Sequence, residues 1–435
     1  MIDISLRNLY KAYEKDKMVI KGISLEIFED EFLIFVGPSG CGKTTTLRMI
    51  AGLEEITDGK LYFNDVLQND LDPSSRNLSF VFQNYALLPY FTVYDNIEFG
   101  LAHMKLDRLT KKKMVEAIAK KLGLYDKLGS YISNLSGGQR QRVALARALV
   151  DEKQLVLFDE PLSNLDAVLR SGMRKELMLF KKRFGVTSIY VTHDQIEAMS
   201  MASRIVLLMD GHIIQVGTAN QLYNEPVNIE TAKFIGSPEI NLISGIYNRK
   251  HIEFQDMKIQ VDAPNLESYS GKNLTLGIRA ENVHLELEDK SKRSLKGKVT
   301  FIEQLGDKVI AHLNIGGMSL QAITQKNIKV NQTYDVRLDK MFIFDDSGMR
   351  ITTKTIEAIY FKNFEPPEKI QREIINYGYK VLYKLSNENQ IIYKVIQDSE
   401  GYTLYKPNQE TVQFDKLEHI FKHVTYQKKA GAYNG

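Results

Sequence analysis

The sequence predicts a chain in three parts: an α/β domain with a mainly parallel sheet, a β-rich domain, and an α+β C-terminal tail. Within residues 1–235, short apolar runs alternate with helical patterns, which is typical of a parallel sheet covered by helices. Within residues 236–352, strand-like runs are separated by turn residues, which predicts a small β-barrel or sandwich. Residues 353–435 combine a helical pattern with strand-like runs.

The strands of the first domain are predicted from apolar runs of strand length. These runs are FLIFV at 32–36, SFVF at 79–82, LVLFD at 155–159, SIYVT at 188–192 and IVLLM at 205–209. Helical patterns such as TTLRMIAGL and QRQRVALARALV lie between them, so we expect a mainly parallel sheet. Residues 23–27 instead alternate apolar and polar side chains, which indicates an antiparallel element at an edge.

The second and third parts are predicted from shorter signals. Runs such as NLTLGIRA, GKVTFIEQLGD and YDVRLDKMFIFDDSG hold frequent turn residues and no long helical pattern. In the tail, PEKIQREIINYG at 367–378 predicts a helix, while KVLYKL at 380–385 and QIIYKVI at 390–396 predict strands. No motif in the tail indicates a function, so its role stays open.

Composition and the N-terminus exclude several classes of protein. The formal net charge of +3 on 435 residues gives no argument for a nucleic-acid partner. Cys41 is the single cysteine, so no intrachain disulfide can form and a reducing compartment is favoured. We expect no signal peptide, and no run reaches the roughly 18 apolar residues of a membrane span.

A phosphate-binding loop is predicted at residues 37–44, where GPSGCGKT fits G-x-x-x-x-G-K-[ST] between an apolar strand and a helix. Its backbone N–H groups and the helix N-terminus favour phosphate oxygens. Lys43 is predicted to contact the β- and γ-phosphates, and the Thr44 hydroxyl to ligate Mg²⁺. The predicted nucleotide-binding residues here are Gly37, Pro38, Ser39, Gly40, Cys41, Gly42, Lys43, Thr44 and Thr45.

Two adjacent carboxylates follow the apolar run at 155–158. The run predicts a buried strand, and its C-terminal end is where α/β sheets place ligands. We predict that Asp159 binds Mg²⁺ and that Glu160 acts as the general base for an attacking water. The position of these residues, well downstream of the phosphate loop, strengthens a pattern that would be weak alone.

A second phosphate cradle is predicted at Ser136, Gly137, Gly138 and Gln139, which precede the helical pattern RQRVALARALV. A serine and two glycines before a helix make an anion-binding N-terminus. One nucleotide does not need two cradles on one chain. We therefore expect this second cradle to serve ATP bound by a partner chain.

LSGGQ at 135–139, with the phosphate loop before it and FDEP at 158–161 after it, resembles the ABC-transporter ATPase family. The resemblance implies an α/β P-loop ATPase domain that has a mainly parallel sheet, an antiparallel edge and a helical subdomain. It also implies ATP and Mg²⁺ as ligands. Two copies of the chain, or one copy and a related ATPase, would then pair around two ATP molecules.

The same resemblance assigns further site residues. Gln83 resembles the Q-loop glutamine, which contacts Mg²⁺ and the attacking water. His193 resembles the switch histidine that contacts the γ-phosphate, so the predicted catalytic set is Glu160, His193 and Gln83. Asp166 lies in SNLD at 163–166, a segment that resembles the D-loop, which crosses the dimer interface. Tyr13 resembles the aromatic residue that stacks on adenine.

Three longer segments resemble importer ATPases for maltose and multiple sugars: FVFQNYALLPYFTVYDNIEFGL at 80–101, DEPLSNLDAVLR at 159–170 and QVGTANQLYNEPVNIETAKFIGSPEINLI at 215–243. LGIRAENVHLELE at 276–288 and FIEQLGD at 301–307 resemble the OB-type regulatory domain of these importers, which we assign to residues 236–352. The implied partners are two transmembrane permease subunits, an extracellular solute-binding protein reached through the complex, and a regulatory protein at the C-terminal domain. The implied location is the cytoplasmic face of the cell membrane, as a peripheral subunit. Ala86, Leu87, Leu88 and Tyr90 would line the permease-binding groove.

Several alternatives remain from the sequence. Importers of glycerol-3-phosphate or polyamines share much of the pattern, so the solute stays open. Non-transport ABC ATPases and exporters are disfavoured, because the 43–136 interval has no coiled-coil insertion and the chain has no membrane spans of its own. Two features depart from the family: Tyr90 follows Pro89 where many relatives have histidine, and the tail lies beyond the usual end.

Overall fold

The structure is a computed structural model of the full chain. It describes residues 2–14, 17–248, 250–254, 257–261, 266–287, 295–306, 308–325 and 327–351, and the backbone of residues 371–377, 380–387, 390–398, 401–405 and 411–414. The chain divides into two compact units, Met1–Ala219 and Asn220–Gly435. Among the described residues, no helix combines the length and apolar character needed to cross a membrane.

The first unit contains both strands and helices. Its strands are β1 (Ile4–Glu14), β2 (Lys17–Ile27), β3 (Phe32–Val36), β4 (Asp58–Phe63), β5 (Val66–Leu67), β6 (Leu78–Val81), β7 (Leu155–Asp159), β8 (Thr187–Thr192), β9 (Arg204–Met209) and β10 (His212–Gly217). Its helices are α1 (Lys43–Ala51), α2 (Val93–Phe99), α3 (Arg108–Lys121), α4 (Gly137–Leu149), α5 (Ala167–Phe184) and α6 (Gln195–Met201).

A six-stranded sheet in the order β10-β9-β3-β8-β7-β6 forms the centre of this unit. Its strands are parallel except β10, which pairs with β9 in the antiparallel sense. Every residue of β3, β7 and β8 is buried, which explains why these strands read as continuous apolar runs. The predicted parallel sheet is therefore confirmed, and the loops after β3, β7 and β8 meet at one edge.

A second sheet, in the order β2-β1-β4-β5, is antiparallel throughout. It contains the predicted antiparallel element at 23–27, which lies in β2. The helical subdomain is also present: α2 packs on α3 and α4, and α3 packs on α4. Thr92 begins α2 with a capping box in which the side chains of Thr92 and Asp95 exchange hydrogen bonds with each other's backbone.

The second unit begins with two short helices and continues as a β-sandwich. The helices are α7 (Ala219–Asn224) and α8 (Ile229–Phe234). The strands are β11 (Asn241–Asn248), β12 (His251–Phe254), β13 (Met257–Gln260), β14 (Asn273–Ile278), β15 (Val283–Leu287), β16 (Leu295–Leu305), β17 (Lys308–Ile315), β18 (Met318–Thr324), β19 (Thr333–Leu338) and β20 (Phe342–Phe344).

Strands β11 to β20 form two antiparallel five-stranded sheets, β13-β12-β11-β14-β20 and β15-β19-β16-β17-β18. Side chains of both sheets share one apolar core, in which Leu276, Val299 and Leu313 are buried. The predicted barrel or sandwich is thus confirmed. The buried Arg279 donates hydrogen bonds to the carbonyls of Ala232 and Ile235, which anchors the end of α8 to the sandwich.

The described part of the tail is a further antiparallel sheet of five strands. Its strands are β21 (Gln371–Tyr377), β22 (Lys380–Asn387), β23 (Gln390–Asp398), β24 (Gly401–Tyr405) and β25 (Thr411–Phe414), in that order across the sheet. The strands predicted at 380–385 and 390–396 are confirmed. The helix predicted over 367–378 is wrong where the chain is described, because Gln371–Tyr377 form β21. The adjacent β-branched residues Ile374 and Ile375 favour a strand, and residues of β21 from Gln371 to Tyr377 pair with β22.

Candidate active site

The phosphate loop connects β3 to α1. Gly42 caps α1 with a φ of 103°, a left-handed conformation that favours glycine. A Cβ atom at Gly37 would lie 2.0 Å from the carbonyl oxygen of Leu208, so a larger residue would not fit there. Glycine at positions 37 and 42 therefore permits the backbone path of the loop.

Lys43 lies inside the loop, with only 5% of its surface exposed. Its Nζ donates hydrogen bonds to the carbonyl oxygens of Gly37, at 2.9 Å, and Pro38, at 2.8 Å. Cys41 Sγ lies 3.8 Å from the same nitrogen. The ammonium group is thus fixed among the loop residues, at the N-terminus of α1, where the helix dipole also favours an anion.

Thr44 and Asp159 join the phosphate loop to the end of β7. The Thr44 hydroxyl donates to Asp159 Oδ1 at 2.9 Å, and the Asp159 side chain is buried. Burial raises the pKa of Asp159, although the Thr44 hydrogen bond and the positive charge of Arg48 act in the opposite direction. Two of the three residues predicted to bind Mg²⁺, Thr44 and Asp159, are therefore adjacent. Such hard oxygen donors suit Mg²⁺, and a cation would compensate the buried carboxylate, so the residues fit this ion.

Glu160 and His193 lie together at the ends of β7 and β8. Glu160 Oε2 is 3.1 Å from His193 Nδ1. The backbone N–H of Glu160 donates to the Val191 carbonyl at 3.1 Å, and Glu160 has a φ of 44°, which is uncommon for a residue with a side chain. The Glu160 side chain is 19% exposed and the His193 side chain 52% exposed. Both polar groups can therefore reach a reactant at this edge of the sheet.

Gln83 enters the same network through Ser163. Gln83 Nε2 donates to Ser163 Oγ at 3.2 Å, and Ser163 Oγ donates to the Glu160 carbonyl at 2.9 Å. Asn164 Nδ2 donates to the Gln83 carbonyl at 3.1 Å. The structure thus brings together all three predicted catalytic residues. The bridging role of Ser163 was missed, because nothing in its sequence position shows which side chain it would contact.

The second phosphate cradle forms the N-terminus of α4. Ser136 Oγ accepts a hydrogen bond from the Gln139 N–H at 3.3 Å, and Gln139 Oε1 accepts one from the Ser136 N–H at 3.0 Å. This capping box leaves Gly137 and Gly138 at the first helical positions. A Cβ atom at Gly138 would lie 3.2 Å from Leu169, so the glycines let α4 approach α5 closely.

Helices α4 and α5 are also joined by charge. Arg142 binds both carboxylate oxygens of Glu176, at 2.8 and 2.7 Å, in a two-pronged ion pair. Asp166 caps α5 by accepting from the Leu169 N–H at 2.9 Å. The predicted cradle and the predicted D-loop are therefore held on one pair of helices.

Tyr13 lies on β1 and is 52% exposed. The Nζ of Lys11 is 4.9 Å from the centre of its ring, in a cation–π arrangement. Among the described residues, Tyr13 lies outside the hydrogen-bond network of Glu160, His193 and Gln83. Stacking on adenine requires an accessible aromatic ring, and the exposed ring of Tyr13 is compatible with this predicted role.

The loop after Gln83 is fixed by residues that the sequence did not single out. Tyr85 and Ala86 both have positive φ, and Arg147 on α4 donates to their carbonyl oxygens at 2.6 and 2.7 Å. Asn96 bonds the backbone N–H and carbonyl of Leu88 at 2.8 and 3.1 Å. The loop presents Tyr90, which is 88% exposed. Of the predicted groove residues, Ala86 is exposed and Leu87 and Leu88 are half-buried.

Three family models match the chain. A model described as "ABC transporter" matches residues 20–163, one described as "MalK OB fold domain" matches 236–283, and one described as "TOBE domain" matches 276–339. The oligosaccharides import ATP-binding protein MsmX of Bacillus subtilis strain 168 is 44% identical over 323 residues, which are 72% of this chain and 88% of that protein. This chain belongs to the ABC transporter ATP-binding proteins.

Other relatives are similar over comparable lengths. The maltose/maltodextrin import ATP-binding protein MalK of Vibrio parahaemolyticus is 44% identical over 74% of this chain and 88% of that protein. The sn-glycerol-3-phosphate import ATP-binding protein UgpC of Vibrio cholerae is 40% identical over 80% of this chain and 95% of that protein. As an ABC ATPase, this chain binds ATP and couples its hydrolysis to transport. The predicted OB-type domain is confirmed by the second and third matches.

Proposed function

We propose that this ABC ATPase powers the import of a sugar or oligosaccharide. The proposal is supported by relatives named for oligosaccharide and maltodextrin import, and by the contact of Glu160 with His193 beside the phosphate loop. The glycerol-3-phosphate importer is the second candidate, because UgpC is similar over most of its length. The solute itself would bind other subunits, so none of the residues below selects it.

The phosphate loop holds the nucleotide in this proposal. Its N–H groups bind phosphate oxygens, and Lys43 exchanges loop carbonyls for the β- and γ-phosphates. Thr44, Asp159 and Gln83 would hold Mg²⁺, which neutralises developing charge on the phosphates when bound. Tyr13 stacks on adenine. Of these residues, Thr44 and Asp159 are already in contact, which is why we assign them the metal.

Glu160 is the general base in this proposal. A water oxygen attacks the γ-phosphorus, the bond to the oxygen that bridges the β- and γ-phosphorus atoms breaks, and Glu160 accepts the water proton. ADP and inorganic phosphate are the products. His193, fixed against Glu160 at 3.1 Å, contacts the γ-phosphate, and Gln83 orients the water. Each role needs a polar group at the C-terminal ends of β6, β7 and β8, and these three residues follow those ends.

A second ATPase chain completes each site. Residues 136–139 and Asp166 of one chain would face the nucleotide on the other, because α4 and α5 carry them together. Two permease subunits in the cytoplasmic membrane would dock on the loop that presents Tyr90. An extracellular solute-binding protein delivers the solute to that complex. The OB-type domain at 236–352 would stabilise the dimer of ATPase chains and would bind a regulatory protein.

The decisive experiment replaces Glu160 with Gln. Glu160→Gln keeps size and hydrogen bonding but removes the base, so phosphate release should fall by about 10²–10⁴-fold. ATP binding should survive, so ATP should produce a stable dimer in light scattering. Conversion of His193 to Ala should also stop hydrolysis. A Glu160→Gln protein that still hydrolyses ATP well, or that fails to bind it, would show that Glu160 is not the base.

Import is tested separately from hydrolysis. The chain is reconstituted with its permeases in vesicles, and uptake of labelled maltodextrin and of glycerol-3-phosphate is compared. We expect ATP-dependent maltodextrin uptake. Uptake of glycerol-3-phosphate alone would favour the second candidate.

A further inference from the structure

Arg170 connects the D-loop to the segment that carries His193. It lies on the first turn of α5, with its guanidinium between two loops. One end nitrogen, Nη2, donates to the Leu165 carbonyl at 2.9 Å and lies 3.4 Å from the Ser163 carbonyl. The other, Nη1, is 3.5 Å from Asp194 Oδ2. One side chain therefore holds both loops.

The D-loop end of this connection is tied to the base. Ser163 donates its hydroxyl proton to the Glu160 carbonyl at 2.9 Å, and its backbone N–H bonds the same carbonyl at 3.2 Å. Leu165 is buried and contributes to the close approach of α4 and α5. A displacement of residues 163–165 would therefore move the carbonyls that hold Arg170.

At the Asp194 end of this connection, hydrogen bonds fix the residues on both sides of His193. Asp194 caps α6 by accepting from the Ile196 N–H at 2.7 Å, and its own N–H donates to Thr192 Oγ1 at 3.0 Å. Thr192 Oγ1 in turn donates to the buried Glu197 at 2.7 Å. The residues on both sides of His193 are thus bonded to each other. A displacement of Asp194 would therefore displace the His193 backbone together with the start of α6.

We propose that Arg170 is a positioning residue that couples the D-loop to the γ-phosphate contact of His193. A guanidinium suits this role because its planar fork can bind carbonyls on one side and a carboxylate on the other. The inference rests on the proposed function, in which the D-loop meets the partner chain. Approach of the partner shifts residues 163–165, Arg170 follows, and Asp194 carries His193 into contact with the γ-phosphate.

The coupling predicts a specific kinetic signature. Arg170→Met removes both ends of the connection, while nucleotide still binds the intact phosphate loop. We expect kcat for ATP hydrolysis by the full chain to fall about tenfold, as for loss of a charge-assisted hydrogen bond, with KM for ATP changing less than about twofold. Asp194→Asn keeps the α6 cap but removes the charge, and should lower kcat similarly.

A double-mutant cycle tests whether the two residues act as one unit. In the Arg170→Met, Asp194→Asn chain, kcat should be no lower than in the worse single variant. Lys175→Met, which removes an exposed charge on the same helix, is the matched control and should leave kcat and KM unchanged. Melting temperatures identify any variant that fails to fold. In that event Arg170→Lys is used, because one ammonium cannot span both loops and kcat should still fall.

Three results would overturn the proposal: unchanged kcat in both Arg170 variants, a raised KM with normal kcat, or single effects that multiply in the double variant. Failure of the proposed function looks different. It would appear as a wild-type chain without ATP hydrolysis, or as a Glu160→Gln chain that retains it, whatever the Arg170 variants do.

Discussion

At the residue scale, the ammonium group of Lys43 is bonded to two carbonyls of its own loop. The charge is therefore in place before a phosphate arrives, and binding exchanges partners instead of ordering a flexible side chain. Preorganised charge of this kind stabilises a transition state efficiently, because little rearrangement is needed as the reaction proceeds.

Replacement of Lys43 by Ala should remove that charge. We expect ATP hydrolysis, measured as phosphate release, to fall by at least about 10²-fold. Lys60→Ala, which removes an exposed lysine of β4, is the control and should hydrolyse ATP normally. Wild-type turnover in Lys43→Ala would contradict the role assigned to the loop.

Cys41 gives a prediction about pH. Burial raises the pKa of its thiol, and the neighbouring charge of Lys43 compensates only in part. A raised pKa keeps the thiol protonated to higher pH, so the reactive thiolate is scarce near neutrality. Iodoacetamide should therefore modify Cys41 more slowly than free glutathione at pH 7, with a rate that is still rising above pH 8.5, about the ordinary thiol pKa.

Labelling is followed by intact mass, and ATP should slow it because the nucleotide covers the loop. Cys41→Ser is the control: it should stay unlabelled. Rapid modification at pH 7, with no further rise in rate at higher pH, would mean that the thiol is activated and that burial does not dominate.

At the scale of elements, the loop between β6 and α2 presents an aromatic residue on a fixed backbone. Arg147 and Asn96 hold that backbone, and Tyr90 projects from it. Large exposed apolar groups on a rigid surface are typical of binding sites for other proteins. Tyr90 is highly exposed, so it is a better probe of the predicted groove than the half-buried Leu88.

Tyr90→Asp should leave ATP hydrolysis by the isolated subunit within about twofold of wild type, since a change at an exposed position seldom disturbs the fold. It should greatly reduce binding to the permeases and solute uptake, because a charge would be buried in that interface. Tyr125→Asp, at an exposed aromatic outside the loop, is the matched control and should keep uptake. Equal uptake in the two variants would place the docking surface elsewhere.

The sequence predicted elements well where the pattern is local. The runs that became β3, β7 and β8 are continuous and apolar because both faces of the parallel sheet are covered. The helix predicted over 367–378 failed at β21, because a short segment with polar residues around two isoleucines fits both periodicities. Pairing with β22 decided the outcome, and a local pattern does not contain that information.

The sequence predicted which residues belong to the candidate site, but it did not predict the distances between their side chains. Motifs identify Glu160 and His193, but only the neighbouring positions of β7 and β8 in the sheet bring them to 3.1 Å. The sequence did not predict roles for Arg170 and Arg147, because an arginine in a helical pattern normally indicates a solvent-exposed face. Their importance comes from carbonyls that tertiary structure turns toward them.

At the scale of the whole molecule, the predicted catalytic residues all lie in the first unit, Met1–Ala219. The OB-type domain and the tail contribute none of them. We propose that the chain has three functional parts: an ATPase domain at 1–235, a regulatory domain at 236–352, and an added tail at 353–435.

Truncation tests that division. A chain that ends at Thr353 should fold and hydrolyse ATP at a near-normal rate, because the tail supplies no site residue. A chain that ends at Gly236 should retain the site but dimerise more weakly in light scattering. If removal of the tail abolishes hydrolysis in a protein that circular dichroism shows to be folded, the tail takes part in the catalytic cycle.

The order of strands β21 to β25 has a consequence for how the chain is made. From β22 onward, each strand pairs with the one synthesised just before it, so the described strand pairings of this sheet are local along the chain. Local pairing lowers the entropy lost on closing loops and speeds folding. The sheet also leaves the ribosome after the ATPase unit, which precedes it along the chain. The sheet can therefore form without pairing to strands that are distant in the sequence, which reduces the chance of incorrect strand pairing. Addition or loss of this sheet during evolution should therefore have little effect on the folding of the ATPase and OB-type domains.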